Sequence, residues 1–199
     1  MAITAPASAA TLVFFDRSDF NAAAGAGLAF ESFEQGFGTA ESLTFPGFTV
    51  SETGGANQVF NDGDAATDGA LSVNIQDNGD SLFTFDFAAP INSFGGDFTA
   101  LQDTVVNYSG GANGSFSLAA DSPRFFGFIS DTAFTSITFN ATGDPVYGVD
   151  ALSFGTAAVP GAVPEPTTWA TMLLGFFGIG GMMRAHRGVW RRKEVSFNF

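Results

Sequence analysis

Apolar and polar residues alternate in short runs through most of this chain. A period of two places every second side chain on one side of an extended strand, so each run predicts a strand with one buried face. The clearest runs place these residues at alternate positions: Leu71, Val73 and Ile75; Phe83, Phe85 and Phe87; Thr135, Ile137 and Phe139.

About ten such strands are predicted, and clusters of Gly, Asn, Asp and Ser separate them. This number of short strands predicts an all-β body with a jelly-roll-like β-sandwich fold. A β-helix is the alternative, although the chain shows no repeat of fixed period. The predicted strands are Thr11–Phe15, Leu28–Phe33, Leu43–Val50, Leu71–Ile75, Ser81–Phe87, Ile91–Thr99, Val105–Ser109, Ser115–Leu118, Phe125–Ile129, Phe134–Asn140 and Gly148–Phe154.

One segment near the N-terminus predicts a short helix instead. Asp16 or Ser18 can cap its first turn, and Gly25 is a residue that commonly follows a helix end. The body is therefore expected to carry one short N-terminal helix.

The pattern changes after the body. Pro164 and Pro166 favour extended backbone, and residues 167–183 form a run of 17 residues without a charge. As a helix this run spans roughly 25 Å, near the lower limit for crossing a bilayer. It predicts a single C-terminal transmembrane helix. The alternative is a buried helix of a soluble domain, but such a helix normally has a polar face, which this run lacks.

Basic residues follow the apolar run directly, and Trp169 lies at its other end. Trp favours the membrane interface, and basic residues favour the cytoplasmic side. The basic flank predicted to lie in the cytoplasm comprises Arg184, Arg187, Arg191, Arg192 and Lys193.

This order of elements resembles the PEP-CTERM sorting tail of Gram-negative bacteria, in the subtype with Trp-Ala after the motif. The resemblance covers residues 163–193, and its motif residues are Val163, Pro164, Glu165, Pro166, Trp169 and Ala170. It implies an exosortase, a membrane cysteine protease-transpeptidase, as a partner that processes the chain near the Pro-Glu-Pro element. Glu194 to Phe199 extend further than is usual for such tails.

Four segments follow from these predictions. Residues 1–10 are expected to be the remnant of a signal peptide, because they end in small residues but lack a basic start and an apolar stretch; a flexible cytosolic N-terminus is the alternative. Residues 11–156 form the body, 157–166 the linker with the Pro-Glu-Pro motif, and 167–199 the transmembrane helix and basic tail.

Charge and composition exclude several classes of function for the body. Residues 1–160 contain 18 acidic residues but only two basic ones, Arg17 and Arg124, so the body is expected to repel nucleic acid. The chain has no cysteine, and its one histidine, His186, lies in the basic tail. Thiol chemistry, cysteine-ligated zinc and a Ser-His-Asp triad in the body are thereby excluded. No enzyme signature is present, and the protein is predicted not to be an enzyme.

A structural calcium ion is the one candidate cofactor. The segment Tyr147 to Phe154 resembles the last strand of jelly-roll carbohydrate-binding modules, where an Asp helps to hold calcium. Glu31, Glu34 and Asp150 are the candidate ligands, because oxygen ligands suit calcium and the body has few bases to pair with Asp150. The alternative is that Asp150 is exposed or accepts backbone hydrogen bonds. The acidic loop from Asn61 to Gly69 departs from the EF-hand pattern and is predicted to be a solvated turn; part of a looser calcium site is the alternative.

The predicted function is that of an exported cell-surface or extracellular-matrix protein. An exosortase would sort it, the inner membrane would hold it before processing, and exopolysaccharide or biofilm matrix would be its surroundings. The alternative is a surface-displayed carbohydrate-binding module. The low number of Trp and Tyr in the body, only Tyr108 and Tyr147, weakens that alternative, because such modules usually stack sugars on these rings.

Overall fold

The computed structural model describes residues 11–55, 58–76, 81–143 and 145–157, together with Leu174 and Phe176. The chain divides into two compact units, Met1–Val159 and Pro160–Phe199. The first unit contains one helix, α1 (Arg17–Ala24), and twelve strands among its described residues. The strands are β1 (Leu12–Phe14), β2 (Ala29–Glu31), β3 (Gly38–Ala40), β4 (Ser42–Phe45), β5 (Phe48–Thr53), β6 (Val59–Asp62), β7 (Ser72–Gln76), β8 (Leu82–Ala100), β9 (Thr104–Ser109), β10 (Gly114–Leu118), β11 (Arg124–Ala141) and β12 (Val146–Gly155).

The two long strands, β8 and β11, each belong to two layers. Their first-layer halves pair with each other and with β5 and β9, giving the order β4–β5–β8–β11–β9–β10. Their second-layer halves pair again, with β1 on one side and β12, β7, β6 and β3 on the other. β2 pairs with the end of β12. These two layers are called the first sheet and the second sheet below.

Phenylalanine rings fill the space between the two sheets. Phe48 of the first sheet lies 5.1 Å, centroid to centroid, from Phe154 of the second. Phe139 and Phe98 make a similar contact at 5.0 Å across the same space. Edge-to-face and offset rings pack well at these distances. The predicted all-β class and sandwich arrangement are therefore confirmed, whereas the jelly-roll topology remains a prediction.

The predicted alternation is confirmed in the first-sheet part of β8. Phe83, Phe85 and Phe87 are all buried, as are Val73 and Ile75 in the second sheet. The alternation is wrong at Thr135, which is exposed although Ile137 and Phe139 are buried, because the register of β11 shifts just before Ser136. The boundaries differ from prediction in the long strands, because each was predicted as two separate strands. The backbone stays extended around the exposed corner at Ala88 to Pro90, and a register shift after Ile129 lets β11 change sheets in the same way.

The predicted N-terminal helix is confirmed. The Asp16 carboxylate accepts hydrogen bonds from the backbone N–H groups of Ser18 at 2.8 Å and Asp19 at 3.1 Å. The hydrogen bond from the Ser18 hydroxyl, together with these amides, lowers the pKa of Asp16. The helix ends at Gly25, whose φ of 75° suits glycine. Phe20 of this helix packs against Phe125 of β11.

Two local predictions are corrected by the structure. Leu43–Val50, predicted as one strand, contains the turn between β4 and β5, where Gly47 has a φ of 93°. The acidic loop is only partly a turn, because Asn61 and Asp62 lie in β6. β3 and β6 are not predicted from the sequence, since each is too short to show a periodic pattern.

The predicted signal-peptide remnant, the sorting motif and the basic flank all lie outside the described residues. The same holds for the predicted membrane span, apart from Leu174 and Phe176, which are helical and exposed. Among the residues that are described, no helix has the length and apolar character needed to cross a membrane.

Candidate functional site

An open groove lies beside the hairpin of β9 and β10, next to the segment that leads into β11. Its volume is about 670 Å³, within the range of small-molecule binding sites. The residues that line it include Asp103, Val105, Ser117, Pro123, Arg124 and Thr142. This groove is called the Arg124 groove below.

Backbone contacts fix the wall of the Arg124 groove. After β10 the chain turns back through Ala119 to Ser122, and the Asp121 N–H donates to the Ala100 carbonyl at 2.8 Å. The Ala120 N–H donates to the Asp103 carboxylate, also at 2.8 Å. These bonds join the loop to the end of β8 and to the start of the hairpin. A ligand would therefore meet a wall that is already ordered.

The guanidinium of Arg124 is held in position from two sides. Its Nη1 donates to the Ser117 carbonyl at 2.8 Å, and its Cζ lies 4.3 Å from the centroid of the Phe15 ring. Stacking on an aromatic face and one fixed hydrogen bond limit the rotamers of the side chain. One hydrogen bond occupies one of five N–H donors, so further donors remain for a ligand.

The groove combines polar and apolar surface. Val105, 38% exposed, and Pro123 provide apolar surface. Asp103 provides an acceptor, and Thr142 is fixed by the Val105 N–H, which donates to its hydroxyl at 3.3 Å. A ligand that has both hydroxyl groups and apolar C–H faces would match this mixture.

The tyrosines of the body are not available as sugar platforms. Tyr108 is 7% exposed and Tyr147 1% exposed, and both pack among core phenylalanines. The large aromatic side chains exposed in the described part of the body are Phe15, Phe30 and Phe37. Of these, Phe15 is the one in contact with Arg124.

Asp150, a predicted calcium ligand, is completely buried in β12. Its Oδ2 accepts hydrogen bonds from the backbone N–H groups of Thr67 and Asp68, both at 2.6 Å, and its Oδ1 accepts from the Ala151 N–H at 2.6 Å. Burial raises the pKa of Asp150, and these hydrogen bonds oppose the rise. Asp150 thus fastens the acidic loop to β12.

Glu31 and Glu34 fasten other backbone segments. Glu31 accepts from the Phe33 N–H at 2.8 Å, and Glu34 accepts from the N–H groups of Ala70 and Leu71 at 2.9 Å each. Within the described residues no group of three metal-ligating side chains is close enough to hold an ion. The structure therefore does not bring Glu31, Glu34 and Asp150 together. The residues do not fit a shared calcium ion, because each carboxylate is oriented toward a different set of backbone amides.

The Arg124 groove is not predicted from the sequence. Arg124 was noted as one of only two bases of the body, and this rarity was the one signal that could have drawn attention to it. The remaining residues of the groove come from five separate strands and loops, and no local pattern connects them.

Comparison with known proteins gives structural likenesses alone. No family model and no curated protein matches the chain. A variant of the family 29 carbohydrate-binding module CBM29-2 is 14% identical, with a TM-score of 0.39, and the match covers 69% of this chain and 99% of that one. Another family 29 carbohydrate-binding module is 13% identical with a TM-score of 0.34, over 80% of this chain and 100% of that one.

A third solved structure is TmCBM61 in complex with β-1,4-galactotriose. It is 14% identical with a TM-score of 0.30, and the match covers 56% of this chain and 95% of that chain. With TM-scores this low, the function of the chain has to be argued from its own residues.

Proposed function

We propose that the body is a non-catalytic module that binds a neutral polysaccharide in the Arg124 groove, and that the C-terminal tail displays this module at the cell surface. The observation that carries the proposal is the fixed Arg124 guanidinium in an open groove of about 670 Å³. Its position favours ligand binding, because an arginine that served only solubility would not need to be held by both Phe15 and Ser117.

The chemistry of the groove suits sugar hydroxyls. A hydroxyl group donates one hydrogen bond and accepts others, so it can accept from Arg124 and donate to Asp103. The apolar surfaces of Val105 and Pro123 can contact the C–H face of a sugar ring. A neutral glycan is favoured over an anionic one, because the body has 18 acidic residues against two basic ones.

The burial of Asp150, whose carboxyl pKa is raised, favours a binding function over a catalytic one. A raised carboxyl pKa is a common property of a catalytic acid, and Asp150 is the one carboxyl in the described residues with such a shift. Asp150 is fully buried and bonded to the backbone of the acidic loop, so a substrate cannot reach it.

The binding proposal is tested on an array of neutral and anionic glycans with the full chain in neutral detergent, with and without calcium. We expect binding to neutral glycans, and a loss of about tenfold or more in Arg124→Ala, because several charge-assisted hydrogen bonds would be removed. Arg17→Ala is the matched control: Arg17 also lies over a phenylalanine ring but does not line the groove. Equal losses in both variants, or no glycan binding by the wild type, would refute the proposal.

Display by the tail is supported by the sequence of residues 163–193. An exosortase would recognise Val163, Pro164, Glu165 and Pro166 with Trp169 and Ala170, while the apolar run and the basic flank hold the chain in the inner membrane. After processing, the body would lie at the cell surface or in the exopolysaccharide matrix. In a host with an exosortase, replacing Pro164, Glu165 and Pro166 with alanine should leave the full-length chain in the membrane fraction. The same mass and location for both forms would count against sorting.

A further inference from the structure

The outer face of the first sheet carries a row of hydroxyl side chains that crosses five neighbouring strands. Each member is paired in register with the next, from Ser42 to Ser51, Thr84, Thr138 and Ser109. All five side chains are exposed or partly exposed. Residues next to them on the same strands, such as Val50, Phe83 and Ile137, point into the core. This set is called the hydroxyl row.

Two contacts show how closely the hydroxyl groups on this face approach one another. The Oγ1 atoms of Thr84 and Thr138 lie 3.1 Å apart within the row. In the next row of the face, the Oγ1 atoms of Thr44 and Thr49 lie 3.2 Å apart. Adjacent strands are about 4.8 Å apart, so the five members of the hydroxyl row span about 19 Å.

The hydroxyl row is continuous with the Arg124 groove. Val105 and Ser117, which line the groove, are paired across β9 and β10, and the next outward-facing pair is Asn107 and Ser115. Asn107 is also paired with Asn140 of β11, two residues from Thr138. Uncharged polar side chains thus connect the groove with the row.

We infer that the glycan site extends from the Arg124 groove along the hydroxyl row, so that its ligand is an extended, neutral, β-linked polysaccharide several sugars long. The inference rests on the proposed function and adds the ligand class. The five row residues are uncharged, and the neighbouring row of the same face, in which Thr49 is paired with Asp86, adds an exposed carboxylate. This face therefore offers hydroxyl groups and one acceptor to a neutral glycan and repels an anionic one. An extended β-linked pyranose chain advances with each sugar by a length similar to the strand spacing, so successive ring hydroxyls can meet successive strands.

This mode of binding requires chain length. The face has no exposed Trp or Tyr platform among its described strands, so each sugar gains only modest hydrogen bonds in exchange with water. Weak contacts of this kind add up only when one molecule makes several of them. Long oligosaccharides should therefore bind more tightly than short ones.

The test compares cellobiose with cellohexaose by calorimetry on the full chain in neutral detergent. The wild type should bind cellohexaose about tenfold more tightly than cellobiose. The double variant Thr84→Val with Thr138→Val should lose this gain, while keeping strand propensity and side-chain shape. Thr39→Val is the matched control, because Thr39 is an exposed strand residue of the second sheet.

The outcomes separate the inference from the proposed function. Binding of both sugars with equal affinity, with both lost in Arg124→Ala, would overturn the extended site and leave the groove intact. Binding of neither sugar would overturn the extended β-linked site, and the proposed function would fall with it only if no glycan of the array bound either. Tighter binding of oligogalacturonate would overturn the neutral ligand class. Concentration-dependent dimer formation in sedimentation that the double variant abolishes would identify a second copy as the occupant and would also overturn the inference.

Discussion

The backbone N–H of Thr67 donates to the Asp150 carboxylate over 2.6 Å, although 83 residues separate the two in the chain. Asp150 has no basic partner in this contact. The loss of hydration of its buried carboxylate is compensated by hydrogen bonds from the amides of Thr67, Asp68 and Ala151. The hydroxyl of Thr67 adds a further one at 3.3 Å from Oδ2. Hydrogen bonds from backbone amides can satisfy a buried carboxylate. The last strand and the acidic loop are therefore held together in a body that has no lysine.

The first prediction concerns Asp150 and pH. The pKa of Asp150 is raised above 3.8 in the folded chain, so between the two pKa values the folded state binds more protons than the unfolded state. The contribution of Asp150 to the free energy of unfolding must then decrease as the pH rises through this window. Asp150→Asn lacks this dependence. Its stability relative to the wild type should rise with pH from about 4 upward, whatever the constant cost of the substitution.

Urea unfolding at a series of pH values measures this difference, and Asp131→Asn controls for the loss of one negative charge at an exposed position. A wild type that gains stability relative to Asp150→Asn as the pH rises would show that the pKa is lowered in the folded chain instead.

A second prediction concerns Gly69, which lies in the acidic loop with a φ of 90°. A Cβ atom at this position would clash with Oε1 of Glu34, the atom that accepts from the Ala70 and Leu71 N–H groups. Gly69→Ala should reduce the free energy of unfolding by about 2–4 kcal/mol, the sum of backbone strain and a displaced carboxylate.

Gly143→Ala is the control for Gly69→Ala. Gly143 has a φ of 96°, and a Cβ atom there would meet no other atom of the described residues within 4 Å. This variant should show the backbone strain alone, about 1–2 kcal/mol. Equal losses in the two variants, measured by urea unfolding, would mean that Glu34 does not hold this loop.

A third prediction concerns the docking of α1. Gly127 of β11 is paired with Gly95 of β8, and a Cβ on Gly127 would lie 2.9 Å from Cζ of Phe125 and 3.0 Å from Cδ2 of Phe20. The missing side chains make room for these two rings. Gly127→Ala should therefore cost about 1–3 kcal/mol, because the overpacked rings must move.

A double-mutant cycle with Phe20→Leu tests this explanation. If the Phe20 ring causes the cost, Gly127→Ala should be less destabilising in the Phe20→Leu background than in the wild type. An equal cost in both backgrounds would assign the effect to the strand itself and not to the helix.

The fourth prediction concerns calcium. A calcium site occupied at 100 times its dissociation constant would add about 2.7 kcal/mol to the stability. Because Glu31, Glu34 and Asp150 bind separate backbone amides, we expect a chelator to leave the melting temperature of the full chain unchanged. A chelator-sensitive melting temperature that becomes insensitive in Asp150→Asn would restore the calcium hypothesis.

Much of the fold could be predicted because its signals are local. The alternation of Phe83, Phe85 and Phe87 fixes which side of a strand is buried, and Asp16 with Gly25 marks the ends of the helix. β3 and β6 could not be predicted in this way, because three or four residues are too few to show a period. They are extended because β6 pairs with β7 and β3 pairs with β6.

The candidate site, unlike the strands and the helix, has no local signal in the sequence. Asp103, Ser117 and Arg124 become neighbours because the β9–β10 hairpin at the edge of the first sheet lies beside the start of β11 in the second sheet, and strand pairing between distant segments has no local signature. The hydroxyl row takes one outward-facing side chain from each of five strands, so it can be recognised only when the register of strand pairing is known. A shift of one residue would turn each of them to the other face.

Residue type and spacing along the chain were sufficient to predict the all-β class, the capped helix, the acidic body and the apolar tail with its basic flank. That Asp150 is bonded to the loop of Thr67, and is not grouped with Glu31 and Glu34, is visible only in the folded chain. The physical reason is that a buried carboxylate is stabilised by whichever donors the fold brings to it, and backbone amides, which every residue but proline carries, leave no mark in the sequence.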